Sequence, residues 1–344
     1  MYKLFFQRIL FALDPELSHH IVLQVIRCIL SIKPFQWLIK SRYVVSSNSL
    51  EKTLFHKTFS NPVGLAAGFD KNSNSIEALS HFGFGFIEVG TVTPEPQKGN
   101  PKKRLFRLSK DHALINRMGF NNDGIEVISQ RIKKAKNKTN IILGVNIGKN
   151  KSTSIENSAS DYLICFKKMA PIADYIAINV SSPNTPELRS LQEKKHLREL
   201  VHPLMKENQK LSEPIPLLLK ISPDLSFSQI DDVIQTVEEC HLSGIIAVNT
   251  TIKRNGIKSK QHNQSGGLSG KPLLKRSLQV VSYIRKTQTK PFYIIGVGGI
   301  QSPKDGIQML EAGADLIQIY TGFVYEGPSL VKKINQLLAL SQSN

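Results

Sequence analysis

Polar side chains recur at one place in this sequence, the last residues of short apolar runs. Gly68 closes the first run and leads to Asp70 and Lys71. Later runs contain or end in Thr91, Asn146, Asn179 with Ser181 and Ser182, Lys220, Asn249 with Thr250 and Thr251, Gly298 with Gly299, and Tyr320 with Thr321. The set is made of amides, hydroxyls, lysines and glycines. Such groups hold a planar, polar, anionic ligand through hydrogen bonds. No cluster of histidines and carboxylates accompanies them, so no metal site is expected. No pair of carboxylates of the glycosidase kind stands out either.

The elements that must position these residues follow from the runs themselves. Eight are present, at 62–68, 85–91, 141–148, 175–182, 216–222, 244–250, 292–299 and 316–321. They are rich in Val and Ile and lack strict alternation, as parallel strands buried on both faces do. Helical patterns lie between most of them, at 73–82, 124–135, 158–169, 227–240, 273–286 and 304–312. Eight strand–helix units over about 275 residues match a (β/α)8 TIM barrel, whose chemistry sits at the C-terminal ends of its strands. A doubly wound sheet is the alternative, with fewer strands and a single crevice. In the barrel all the polar strand ends ring one mouth. Gly296-Val-Gly298-Gly299 and Thr321-Gly322 then fall where barrels bind phosphate through backbone N–H groups. The first of these is no dinucleotide fingerprint, because its third glycine is wrongly spaced. Gly266-Gly267-Leu268-Ser269-Gly270 reads as a second, flexible loop. A phosphate at strands seven and eight with a polar ring beside it suits FMN. A lysine on strand five would sit beside the flavin's N1–O2 edge.

Residues 1–40 differ from the rest. Leu17, Ile21, Val22, Val25, Ile26, Ile29 and Leu30 recur at helical spacing behind Asp14 as N-cap and Pro15, with Pro34 as the stop. Leu4, Phe5, Ile9 and Leu10 make a shorter amphipathic helix before them. This two-helix hairpin either packs on the main domain or rests in a membrane interface, its basic flank on anionic lipid. No stretch is long and apolar enough to span a bilayer, and the start does not read as a signal peptide, which places the chain on the cytoplasmic side. Lys and Arg number 45 against 27 acids, a formal charge of +18 that points to an anionic partner. The three cysteines, Cys28, Cys165 and Cys240, lie far apart and imply neither a disulfide framework nor a zinc site.

The motifs Leu65-Ala-Ala-Gly-Phe-Asp-Lys71, Asn116-Arg-Met-Gly-Phe-Asn-Asn122, Asn146-Ile-Gly-Lys-Asn150, Asn179-Val-Ser-Ser-Pro-Asn-Thr185, Gly266-Gly-Leu-Ser-Gly270, Ile295-Gly-Val-Gly-Gly-Ile300 and Gln318-Ile-Tyr-Thr-Gly322 resemble those of the dihydroorotate dehydrogenases. The resemblance covers nearly the whole chain and is to the quinone-dependent, membrane-associated class 2. Ser182 stands at the catalytic-base position, where class 1 carries cysteine, and class 1 lacks the N-terminal extension. Glu187 departs from the pattern, which has glycine there. The resemblance implies oxidation of (S)-dihydroorotate to orotate in pyrimidine biosynthesis, with FMN as hydride acceptor and ubiquinone or menaquinone as final acceptor. It implies FMN on Ala67, Gly68, Lys71, Thr91, Asn146, Asn179, Lys220, Val248, Gly270, Gly299, Tyr320 and Thr321. Dihydroorotate would be held by Lys71, Asn116, Arg117, Met118, Gly119, Phe120, Asn179, Asn184, Asn249 and Thr250. Ser182 would take the C5 proton, with Thr185 and a water as relay; otherwise its hydroxyl caps a turn. The quinone head would meet Arg104 and His19. The expected organisation is a membrane-contacting hairpin at 1–40 and a catalytic barrel at 41–344, peripheral on the cytoplasmic face of a bacterial inner membrane, monomeric or weakly oligomeric. A flavin barrel acting on tRNA is the rival reading. It rests on the basic stretch 131–151 and is weakened by the lack of an RNA-binding module after strand eight. No nucleic-acid partner is expected.

Overall fold

The computed structural model describes residues 7–341. Eight parallel strands close into a barrel: β3 (Val63–Leu65), β4 (Phe86–Val92), β7 (Ile142–Ile147), β8 (Tyr175–Asn179), β9 (Leu217–Ile221), β10 (Gly244–Ala247), β12 (Tyr293–Val297) and β13 (Leu316–Ile319). They neighbour one another in chain order, and β13 pairs with β3 to complete the ring. All eight apolar runs are strands, and all six helical patterns are helices: α4 (Ile76–Ser80), α5 (Ile125–Lys136), α6 (Ser158–Met169), α8 (Phe227–Glu239), α9 (Leu274–Thr287) and α10 (Pro303–Glu311). Each helix buries one stripe on the barrel. In α5 that stripe is Ile125, Ile128, Ile132 and Ala135, at three- and four-residue spacing. Ser226 and Ser302 start α8 and α10 with reciprocal capping boxes.

Three further helices complete the outer layer: α7 (Lys194–Asn208), α11 (Thr321–Glu326) and α12 (Ser329–Ser341). A short antiparallel pair, β1 (Lys52–Leu54) and β2 (Lys57–Phe59), closes the N-terminal end of the barrel. Phe59 meets the Phe86 ring edge-on at 5.4 Å there. The barrel interior is a plug of Phe86, Tyr175, Leu218, Ile246 and Ile295. Gly144 makes room for it, since a Cβ at that position would lie 2.1 Å from the Tyr175 ring.

Two sequence expectations are corrected. Residues 266–270 are not a flexible loop. Gly267–Gly270 is strand β11, paired antiparallel with β6 (Ala113–Asn116), which in turn pairs with β5 (Leu105–Leu108). Nor does Pro34 end the N-terminal segment. It occupies the first turn of a helix, α3 (Lys33–Tyr43), where proline's missing N–H is harmless. The N-terminal region is therefore three helices, α1 (Gln7–Ala12), α2 (Pro15–Ile29) and α3, and residue 40 lies inside the third. Leu4 and Phe5 lie outside the described residues. Asp14 caps α2 as its sequence suggests, accepting from the backbone N–H groups of Glu16 and Leu17. Within α2 only Glu16 and Ser18 are buried, and Leu17, Val25 and Ile29 face outward.

Candidate active site

One cavity of about 360 Å³ opens over the C-terminal mouth of the barrel. It runs from the strand ends to α2, which supplies Glu16, His19, His20, Leu23, Gln24 and Arg27 as one wall. The ring of polar residues read from the sequence is assembled here. Ala67, Gly68, Lys71, Thr91, Asn179, Lys220, Val248, Gly270, Gly299, Tyr320 and Thr321 all line the cavity. So do Asn116, Met118, Gly119, Phe120, Asn184, Asn249, Thr250 and Ser182.

Four of the anticipated residues are elsewhere, Thr185 being buried off the cavity. Asn146 is fully buried behind the wall. It accepts a 2.5 Å hydrogen bond from the Thr91 hydroxyl and one of 3.0 Å from the Asn179 amide. Arg117 turns away from the cavity, stacks its guanidinium over Phe106 and donates to the Gln264 side-chain carbonyl at 2.9 Å. Arg104 is buried behind α2. Its Nη2 donates to Glu16 at 2.7 Å and its Nη1 to the carbonyls of Lys98 and Asn100. His19 does line the cavity, with Nε2 held 2.8 Å from the Phe69 carbonyl oxygen and its ring edge-on to Phe69.

The amides form a connected ring. Asn249 donates to the Asn179 side-chain carbonyl at 3.3 Å and to the Ser181 hydroxyl at 3.0 Å. Asn184 donates to the side-chain carbonyl of Asn116 at 3.1 Å, which joins the loop after β8 to the end of β6. Ser182 is buried on the cavity wall, and its Oγ accepts the Asn184 backbone N–H at 3.2 Å. Its hydroxyl therefore caps a turn and faces the cavity at once. At the opposite side, Gly298 and Gly299 take left-handed backbone angles (φ 118° and 86°). A Cβ on Gly299 would lie 2.4 Å from the Leu274 backbone, so packing as well as ligand access demands glycine there.

Charge in the cavity is set by burial. Burial, aided by the charge of Arg104, brings the Lys71 ammonium down to about 8. Burial and the charge of Lys71 hold His19 at about 4, so its imidazole is neutral at physiological pH. Burial pushes the Tyr320 hydroxyl up to about 12. Burial also works to raise Glu16, but the hydrogen bonds and charge of Arg104 prevail and hold it below its ordinary value.

Sequence reading missed the group beneath the floor. Glu88 on β4 is almost wholly buried and accepts from Asn146, Lys220, Gln318 and Tyr175. An acid inside the apolar run 85–91 was the available signal, since a charge on a strand buried on both faces must be paired. Arg189 was missed as well. It donates to the backbone carbonyls of Ser181 and Thr250 and to Asp224, tying the loop of Ser182 to the loop after β10.

Comparison with known proteins decides the family. The family model described as dihydroorotate dehydrogenase matches residues 49–340. The chain belongs to the dihydroorotate dehydrogenase family. It is 51% identical to the dihydroorotate dehydrogenase (quinone) of Christiangramia forsetii, over 98% of each chain. Against that of Idiomarina loihiensis it is 45% identical, over 97% of this chain and 99% of the relative. The crystal structure of Eimeria tenella DHODH in complex with ferulenol superposes with a TM-score of 0.85 at 37% identity, covering 96% of this chain and 92% of that one. The N-terminal helices fall within the span shared with these relatives, so the cavity wall formed by α2 belongs to a dihydroorotate dehydrogenase fold and is not an addition peculiar to this chain.

Proposed function

We propose that this chain oxidises (S)-dihydroorotate to orotate with FMN as hydride acceptor and a membrane ubiquinone or menaquinone as final acceptor, in pyrimidine biosynthesis. One observation carries the reading: a single cavity joins the polar ring at the strand ends to the N-terminal helices. A polar, anionic substrate and an apolar acceptor can thus be served from one space.

The residues present fit FMN. The cavity volume lies in the range of ligand pockets. Its floor carries the buried ammonium of Lys220, and its far side has Gly299 and Thr321 where a phosphate would meet backbone N–H groups. When bound, FMN supplies hydride acceptance and passes electrons onward singly or in pairs. Lys71 supplies positive charge for the orotate carboxylate, and Asn116, Asn179, Asn184 and Asn249 offer donor and acceptor edges to its amide ring. Ser182 Oγ would take the C5 proton. A serine hydroxyl is a weak base, so the proton must pass on, through Thr185 and water, as negative charge leaves C6.

The acceptor end lies at α2. Ten of the sixteen exposed large apolar side chains among the described residues fall between Ile9 and Val44, Trp37 being 72% exposed. Arg8, Arg27, Lys33, Lys40 and Arg42 are exposed around them. An apolar face flanked by cations suits the surface of an anionic membrane. Among the described residues no single helix is long and apolar enough to cross one, and α2 and α3 meet at 113°. The quinone head would enter beside His19, with Arg104 reached through Glu16. The test is the absorbance of the purified protein. A flavin spectrum bleached anaerobically by dihydroorotate and restored by a quinone analogue supports the reading; a colourless protein, or one that dihydroorotate does not bleach, refutes it.

A further inference from the structure

Lys220 does not stand alone beneath the cavity. Its Nζ lies 3.2 Å from Glu88 Oε1, and the two side chains are 6% and 0% exposed. The carboxylate is held from three other directions. Asn146 Nδ2 donates to Oε1 at 2.9 Å, and Gln318 Nε2 and Tyr175 OH donate to Oε2 at 2.7 and 3.1 Å. Strand register fixes this arrangement. Glu88 is level with Gly144 on β7, whose missing side chain leaves room for Tyr175, and Lys220 is level with Asn179 on β8. Lys220 and Gln318 line the cavity and Glu88 does not, so the carboxylate sits one layer below the ammonium.

We infer that Glu88 is a positioning residue that holds the Lys220 cation aimed at the cavity floor, and through it sets how readily the bound flavin is reduced. The inference rests on the FMN reading above. The physical reason is the cost of a lone charge in an apolar interior. Glu88 is the hydrogen-bond partner of Lys220 Nζ, so without the carboxylate the ammonium loses its anchor and turns from the cavity floor. Negative charge accumulating on the reduced cofactor then loses its compensation. The carboxylate's own field acts in the opposite sense, since removing a negative charge eases reduction. The two routes therefore predict shifts of opposite sign.

The test is the midpoint potential of bound FMN in the purified holoprotein, measured in Glu88→Gln, Lys220→Met and the double variant. FMN content and dissociation are followed by absorbance. If Glu88 acts through Lys220, Glu88→Gln makes reduction about tenfold less favourable, a fall of about 30 mV for a two-electron couple. In the Lys220→Met background the same substitution then causes no fall. Glu88→Asp keeps the charge but draws it back by one methylene, gives an intermediate potential, and serves as the test should Glu88→Gln not fold. A rise in potential, an equal fall in both backgrounds, or an unchanged potential with FMN retained overturns the inference. Wild-type protein that binds no FMN overturns the cofactor reading instead.

Discussion

Ser182 is under two demands, since its Oγ accepts the Asn184 N–H and also faces the cavity. Replacing it tells the two apart. Ser182→Ala should keep FMN and orotate binding but slow anaerobic bleaching by dihydroorotate by roughly 10²–10⁴-fold, the usual contribution of a general base. Wild-type bleaching in stopped flow would leave only the turn cap. Lys71 gives a prediction in pH. Its ammonium is brought down to about 8, so above that pH a growing share of the protein is uncharged there. An anionic ligand favours the charged form, so binding must take up a proton. Orotate titrated into the holoprotein near pH 8.5, in buffers of different ionisation enthalpy, should show proton uptake that vanishes near pH 7; no uptake at either pH would separate Lys71 from the carboxylate. Most of this site was legible because a barrel puts strand ends at one mouth, so side chains scattered over 250 positions become neighbours by topology alone. Glu88 escaped because it lies mid-strand, where only the rule against unpaired buried charge reveals it. Arg117 and Arg104 were misplaced for the converse reason: a motif fixes position along the chain, but a long side chain chooses its own direction, here over Phe106 and toward Glu16.

At the scale of elements, the barrel strands and their helices were readable because burial on both faces leaves an unmistakable apolar run. The two additions over the mouth and floor were not. The strands β5, β6 and β11 are four residues each; β5 and β6 form a local hairpin of mixed side chains, and the glycine-bearing β11 pairs with β6 from about 150 residues further along the chain. The loop after β8 carries its own strain. Glu187 is left-handed (φ 55°) at the start of the 3-10 turn Leu188–Gln192, the conformation for which the family pattern's glycine is suited. Glu187→Gly should relieve about 1 kcal/mol, seen as a rise in Tm of about 1–2 °C with kcat unchanged; a fall in Tm would mean that the carboxylate has a structural partner of its own. The N-terminal helices are tied down by Glu16 and Arg104. Because Glu16 is held below its ordinary value of 4.5, this tie is complete above that pH and is lost as pH falls through the lowered value. Limited proteolysis between residues 7 and 30 should therefore quicken on acidification below about 4.5, and Glu16→Gln should show the quickened rate already at neutral pH. A variant as resistant as wild type would place the anchoring elsewhere, for example in the bonds from Arg107 to the carbonyls of Leu10 and Phe11.

For the whole molecule the question is whether the N-terminal helices are a lid on the barrel or a separate membrane-facing part. The packing divides them. In α3, Ile39 and Tyr43 pack on the main core, Tyr43 meets Phe82 at 5.8 Å, and Lys332 of α12 donates to the Arg42 carbonyl. By contrast α1 buries no residue, and α2 sets only Leu23 and Ile26, with Leu30 at its end, on that core while it turns Leu17, Val25 and Ile29 outward and walls the cavity. A cut at residue 40 would split α3, so the informative truncation removes residues 1–31 and keeps that helix. All eight barrel strands and the whole polar ring lie beyond it. The shortened protein should fold, hold FMN and be bleached by dihydroorotate at a rate close to that of the full chain. Reoxidation by a long-tailed quinone should fall at least about tenfold, the loss expected if about 1.4 kcal/mol of tail binding disappears. Reoxidation by a small water-soluble acceptor should persist, because the cavity is then open to water. Co-sedimentation with anionic vesicles should fall too, leaving a part that salt removes, since basic residues elsewhere remain. If FMN is lost, α2 is a lid that the barrel needs. If the long-tailed quinone reoxidises both proteins equally, the acceptor enters by another route, and the apolar face between Ile9 and Val44 serves attachment alone.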